Sequence, residues 1–223
     1  MNENKQNEVT ELVMILDKSG SMGGLESDTI GGYNGMMEKQ RKAGVNALVT
    51  TVLFNNEAVT IHDRVPIANM PKMTGQEYQT GGCTALLDAV GQTISRVKLQ
   101  HARDGELAPK RTMVVITTDG LENASREYSY TRVKKLIEQQ KEEGWEFIFL
   151  GANIDAAAEA ERIGIRRDHA ARYMNDEEGI EENYKALNDV VQCYACRCAY
   201  DPAPMVQVQA EYKRRSKASK DKQ

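Results

Sequence analysis

The sequence predicts an α/β protein in three layers, with helices covering both faces of a mostly parallel sheet and one antiparallel edge strand. Three observations predict it. Short apolar runs alternate with amphipathic stretches along most of the 223 residues, the signature of strands joined by crossover helices. The first run, Leu12 to Leu16, is apolar at every position, as a central parallel strand covered on both faces requires. Two further strands are separated only by Asn55-Asn56 and a glutamate, a tight turn that asparagine's tolerance of positive φ permits, so they pair antiparallel.

The elements follow in order. After the first strand, Leu25 to Ala43 reads as a helix with Ile30, Tyr33 and Met37 on one face, although Gly31 and Gly32 weaken it. Ala47 to Phe54 is the second strand, and Ala58 to Asp63 returns beside it until Pro66 ends it. A loop through Pro71 and Gly75 leads to Thr80-Gly-Gly-Cys-Thr84, and behind it Leu87, Val90, Ile94 and Val97 make a helical stripe. A loop over 103–109 precedes the strand Met113 to Ile116. Val133, Leu136 and Ile137 mark a helix that stops near Gly144. Phe147 to Leu150 is a strand, and Asp155 to Ile163 is an Ala-rich helix capped by Asn153 or Asp155. A short edge strand near Ala171–Met174 and a last helix carrying Ile180, Tyr184, Leu187 and Val191 complete the domain. Its expected extent is 8–200, between a flexible N-terminus (1–7) and a basic, disordered tail (201–223).

Composition narrows the function. The formal charge is −4. From Glu211 onward six basic residues oppose two acidic ones, so the tail carries +4 and residues 1–210 carry −8. An acidic body argues against a nucleic-acid surface, apart from nonspecific contacts by the tail. No apolar run approaches the roughly 18 residues of a membrane span, and the polar start MNENKQNE has no apolar signal region behind it. A cytoplasmic location is expected. Cys83, Cys193, Cys196 and Cys198 fit neither a dense disulfide scaffold nor two separated ligand pairs for zinc, and read as ordinary thiols. His62, His101 and His169 are scattered singly, and Trp145 reads as a packing residue.

In open α/β sheets ligands bind at the carboxyl ends of the strands, and three polar clusters fall there. Asp17-Lys-Ser19-Gly-Ser21 follows the first strand, Gly81-Gly82-Cys83-Thr84 precedes a helix, and Asp119-Gly120 follows the Met113–Ile116 strand. Asp17, Ser19 and Ser21 alternate, so in an extended loop they point the same way. The set offers two carboxylates and three hydroxyls. Hard oxygen donors of this kind suit Mg²⁺, Mn²⁺ or Ca²⁺. Asp88 is placed to orient a loop hydroxyl or a metal-bound water, or else to complement a helix N-terminus. Glu122 and Asn123 are candidates for the rim of the same face.

Asp17-x-Ser19-x-Ser21, Thr84 after a Gly-Gly turn, and Asp119-Gly120 after a later strand together resemble the von Willebrand factor type A domain with its metal-ion-dependent adhesion site. The resemblance covers roughly residues 9–192 and is similar in format to standalone bacterial or phage members. It implies a doubly wound sheet with strand order 3-2-1-4-5. It also implies that Ser19, Ser21 and Thr84 approach a metal, that Asp17 and Asp119 bind it directly or through water, and that an Asp or Glu of a partner protein completes the shell. The expected function is thus a metal-dependent protein–protein interaction module, not an enzyme.

Two other readings compete. The chain could be a self-assembling structural subunit whose metal recruits an acidic residue of a neighbouring copy. Alternatively, Asp17 could be the nucleophile of a phosphoester hydrolase similar to the haloacid dehalogenases, but that chemistry wants a second carboxylate two residues on, where Ser19 stands. A serine-hydrolase elbow fails at its first glycine in Ser19-Gly-Ser21-Met-Gly23, and no phosphate-binding G-x-x-x-x-G-K-[ST] loop occurs.

Overall fold

The computed structural model describes residues 8–152, 154–198 and 200–220. The expected flexible N-terminus and the Asn153 cap lie outside the described residues. Six strands form one sheet in the order β3-β2-β1-β4-β5-β6. They are β1 (Thr10–Asp17), β2 (Ala47–Phe54), β3 (Ala58–Pro66), β4 (Arg111–Thr118), β5 (Glu146–Ala152) and β6 (Ala170–Tyr173). All pairings are parallel except β2 with β3. The expected order 3-2-1-4-5 is therefore extended at one edge by the short β6. The helices are α1 (Glu26–Lys42), α2 (Leu86–Asp104), α3 (Tyr130–Glu142), α4 (Ala156–Arg162), α5 (Glu177–Ala195) and α6 (Ala203–Lys220).

The alternation of β1 builds the two cores. Leu12, Met14 and Leu16 face one side, with Tyr33 and Met36 of α1 and Tyr184 and Leu187 of α5. Val13 and Ile15 face the other, with Val90 and Ile94 of α2 and Val133 and Ile137 of α3. A side-chain period of two on a central strand makes both layers necessary. The glycines inside α1 do not break it. A Cβ at Gly32 would lie 2.2 Å from the Tyr184 ring, so the missing side chain lets α5 pack closely on α1. Two caps fix helix starts. Asp155 accepts from the Ala158 N–H at 3.1 Å, and Asp176 accepts from the Gly179 N–H at 2.9 Å.

The C-terminal segment departs from the expected disordered tail. Residues 203–220 form α6, which packs on α5 and β6. Met205 and Val208 are buried in the first core. The Gln209 side chain accepts from the Arg172 N–H of β6 at 2.9 Å, and the Arg172 guanidinium lies 4.4 Å from the Tyr212 ring centroid. The Arg215 guanidinium grips the Asp176 carboxylate at 2.7 Å. Two apolar anchors and this ion pair outweigh the charge repulsion that made the segment look solvated. Met205→Ala should therefore destabilise the protein by about 2–4 kcal/mol, whereas Val206→Ala, at an exposed position of the same helix, should stay within roughly 0.5 kcal/mol of the parent. Urea denaturation of the two variants checks this.

Candidate metal centre

The strand order reverses between β1 and β4, because β1 connects outward to β2 on one side and β4 to β5 on the other. That is the switch point where loops diverge and leave a crevice. Asp17 ends β1 and Asp119 follows β4, so the pairing of these strands brings two carboxylates to one place. Asp17, Ser19, Thr84 and Asp119 are all buried, and Ser21 is exposed.

Hydrogen bonds join the set. The Ser19 N–H donates to Asp17 Oδ1 at 2.7 Å, and Ser19 Oγ meets Ser21 Oγ at 3.2 Å. Ser21 Oγ donates to Asp119 Oδ1 at 2.6 Å. Thr84 Oγ1 lies 3.1 Å from where a Cβ would stand on Gly120, so a side chain at 120 would crowd the hydroxyl. The structure thus brings Asp17, Ser19, Ser21 and Asp119 into one bonded chain and places Thr84 against Gly120 beside it.

Three further residues bond to the set, none of them marked by the sequence. Thr118 Oγ1 donates to Asp17 Oδ2 at 2.6 Å and lies 3.1 Å from the Gly120 carbonyl. Tyr78 OH donates to the Asp17 carbonyl at 2.5 Å. Asn175, between β6 and α5, donates from Nδ2 to Asp119 Oδ2 at 3.1 Å. A threonine in a strand reads only as a β-former, and an asparagine 56 residues from its partner carries no local signal.

The loops are tied down by backbone hydrogen bonds. Gly20 N–H donates to the Gly82 carbonyl at 3.1 Å and Gly81 N–H to the Lys18 carbonyl at 2.9 Å. Asn55 Nδ2 donates to the Gly81 carbonyl, and Asn56 Oδ1 accepts from the Cys83 N–H. Gly82 has φ of 80°, and a Cβ there would lie 2.0 Å from Asn56 Oδ1, so both conformation and space demand glycine. Asn123 makes a reciprocal pair with the Thr84 backbone at 2.9 and 3.1 Å. Glu122 accepts from the N–H groups of Leu87, Ala124 and Ser125. Asp88 accepts from those of Arg126, Glu127 and Tyr128. These three residues clamp the loop after β4 onto the N-terminus of α2, and through it hold Thr84 and Gly120.

The electrostatics are unusual for a buried site. Burial pushes the Asp17 carboxyl above the usual carboxylate range, helped by the Asp119 charge and opposed by Thr118 and Ser19. Burial likewise raises Asp119, against the pull of Ser21 and Asn175. Four carboxylates are buried among the described residues: Glu11, Asp17, Asp119 and Glu159. Glu11 is paired with Arg64 at 3.0 Å and Glu159 with Arg162 at 2.8 Å. Among the described residues, no basic side chain pairs with Asp17 or Asp119. Oxygen donors without a counter-charge fit a hard divalent cation.

The raised groups set a sign. A carboxyl with a raised folded-state pKa contributes stability that is present below its unfolded value and lost as pH rises through its folded value. Metal-free Asp119→Asn should therefore be more stable than the parent at pH 7, with the gap shrinking toward pH 4, as read by urea melts in EDTA. Asp88→Ala should cost about 1–3 kcal/mol, because it strips three backbone donors of their acceptor, a loss the same melts would show at pH 7.

No protein-family profile matches the chain, and no curated protein matches it in sequence. Its fold is similar to solved structures. The pilus adhesin SpaC of Lactobacillus rhamnosus GG in an open conformation aligns with a TM-score of 0.65 at 12% identity, over 85% of this chain and 31% of that one. A von Willebrand factor type A protein from Catenulispora acidiphila aligns at 0.58 and 12% identity, over 83% and 43%. The von Willebrand factor domain of the type V pili tip protein Mfa5 from Porphyromonas gingivalis aligns at 0.58 and 10% identity, over 87% and 98%. The chain spans under half the length of the first two. At these identities the likeness is one of fold.

Proposed function

We propose that this chain is a von Willebrand factor type A-like interaction module in which Asp17, Ser19, Ser21, Thr84 and Asp119 hold a divalent cation, Mg²⁺ ahead of Mn²⁺ or Ca²⁺. The observation that carries the reading is the pair of buried carboxylates left without a basic partner while Glu11 and Glu159 each have an arginine. A bound cation would neutralise that pair and offer a vacant position to a carboxylate of a partner protein. The chain's own residues supply a stiff frame. Thr118 and the Ser19 N–H orient Asp17, Ser21 and Asn175 orient Asp119, and the Asn123 clamp holds Thr84. A site with three neutral hydroxyls leaves the cation short of negative charge, so an outside Asp or Glu gains by joining it.

The reading is a non-catalytic one, in keeping with the adhesin among the structural neighbours. The structural neighbours include a minor pilin from Streptococcus sanguinis, which keeps self-assembly open as the second reading. Size-exclusion chromatography with and without EDTA separates the two: a metal-dependent oligomer favours self-assembly, an unchanged monomer an external partner.

Calorimetric titration of Mg²⁺ tests the centre itself. The parent should bind and also gain about 2.7 kcal/mol of stability at 100 times the dissociation constant. Asp17→Ala and Asp119→Ala should do neither, and parent-like binding by both would remove the proposal. Affinity should weaken as pH falls, beginning above the range of ordinary carboxylates, because protons compete for two oxygen ligands whose pKa burial has raised.

A further inference from the structure

The end of α5 carries a second piece of chemistry, independent of the metal centre. The helix closes in a Schellman turn. Cys198 N–H donates to the Cys193 carbonyl and Arg197 N–H to the Tyr194 carbonyl, both at 3.0 Å. Arg197 holds the left-handed conformation at φ 61°. In this motif the residues that open and close the six-residue turn are brought side by side, where they usually make an apolar contact. Here both are cysteines. We propose that Cys193 and Cys198 are a redox modification site, forming a reversible intramolecular disulfide across this turn.

The flanks hold the two thiols in place. Tyr194 is buried, its OH donates to the Thr112 carbonyl at 3.1 Å, and the Arg111 guanidinium lies 4.0 Å from its ring centroid. Tyr200 stacks on His169 at 3.8 Å between centroids and donates to the Asp168 carbonyl at 2.8 Å. The chain is therefore anchored on both sides of the turn. Cys198 is exposed and Cys193 half-buried, which sets the order of events. With a low-molecular-weight disulfide of the glutathione class as oxidant, the Cys198 thiolate attacks one sulfur, forms a mixed disulfide and releases one thiol. Cys193 loses its proton to solvent, attacks the Cys198 sulfur and releases the second thiol. Two protein thiols are oxidised by two electrons, and one small disulfide is reduced to two thiols. Burial and the Cys198 contact raise the Cys193 thiol, which suits it to the second, intramolecular attack better than to the first.

Arg197 makes the test sharp. The full chain is equilibrated in glutathione buffers of increasing oxidised fraction, quenched by alkylation and digested with trypsin. Cleavage after Arg197 separates Cys198 from Cys193 and Cys196. A Cys193–Cys198 bond therefore holds two peptides together, while a Cys193–Cys196 bond stays within one. The expected result is a linked peptide pair whose fraction rises with the oxidised fraction. The link should survive in Cys196→Ser and vanish in Cys193→Ser and in Cys198→Ser. Free alkylation of both thiols at the most oxidising ratio overturns the proposal. So does accumulation of glutathione adducts at either residue, or a link that disappears in Cys196→Ser.

Discussion

Everything at the top of the sheet depends on one constraint: β1 and β4 are neighbours, and each delivers a carboxylate to the same buried spot. Burying one carboxylate costs several kcal/mol unless it is paired, and burying two together costs more. Elsewhere the protein solves the problem with arginine. Glu11, at the other end of β1, meets Arg64, which also reaches Asp104 at 2.5 Å. At the top of the same strand, Asp17 has only hydroxyls and an N–H. Such donors lower the penalty without cancelling the charge, and burial still dominates the titration of both aspartates. The fold pairs its other buried acids with cations and leaves these two with neutral donors, and the proposed cation site rests on that contrast.

The neutral donors explain the surrounding architecture. Hydroxyls hold a position only when their backbone is fixed, and here the backbone is fixed by carboxylates and amides used as caps. Glu122 and Asp88 between them collect six backbone N–H groups. This converts the long connection after β4 from a loop with free donors into a rigid wall against α2. The Asn55-Asn56 turn does the same for the glycine pair before Thr84. Preorganisation of this kind keeps oxygen donors converging before anything binds. Asn175 brings in a third wall, because α5 begins two residues after it.

Much of this was legible in the sequence, and what was not has a physical reason. The strands could be read because buried parallel strands are uninterrupted apolar runs, as in Leu12–Leu16, and the five positions of the candidate site stand out because they punctuate those runs. The residues that orient the donors could not. Thr118 is indistinguishable from any strand threonine, and Asn175 meets Asp119 only because β6 adds a strand beyond β5. The fold of the tail is hidden in the sequence because its basic residues outnumber its two apolar anchors. Met205 and Val208 are three apart on one helical face, but the six basic residues that follow them masked the stripe.

The folded tail also changes how the charges are distributed. A −8 body and a +4 tail suggest two separate electrostatic objects, with the tail free for anionic partners. In the structure they are joined: Arg215 is bonded to Asp176 and lies 3.2 Å from Glu178, while Arg214 pairs with Glu211 on its own helix. An arginine beside a helix N-terminus opposes the helix dipole, and here it is offset by Asp176, which caps α5, and by the acidic first turn of Glu177 and Glu178. Part of the tail's positive charge is thereby spent within the molecule. Arg215 pairs with Asp176, the residue next to Asn175, and among the described residues no basic side chain of the tail pairs with Asp17 or Asp119. On the proposed reading, attraction of a cation to Asp17 and Asp119 would therefore come from the local donor arrangement, and so would the pull on a partner carboxylate approaching a body that is net acidic.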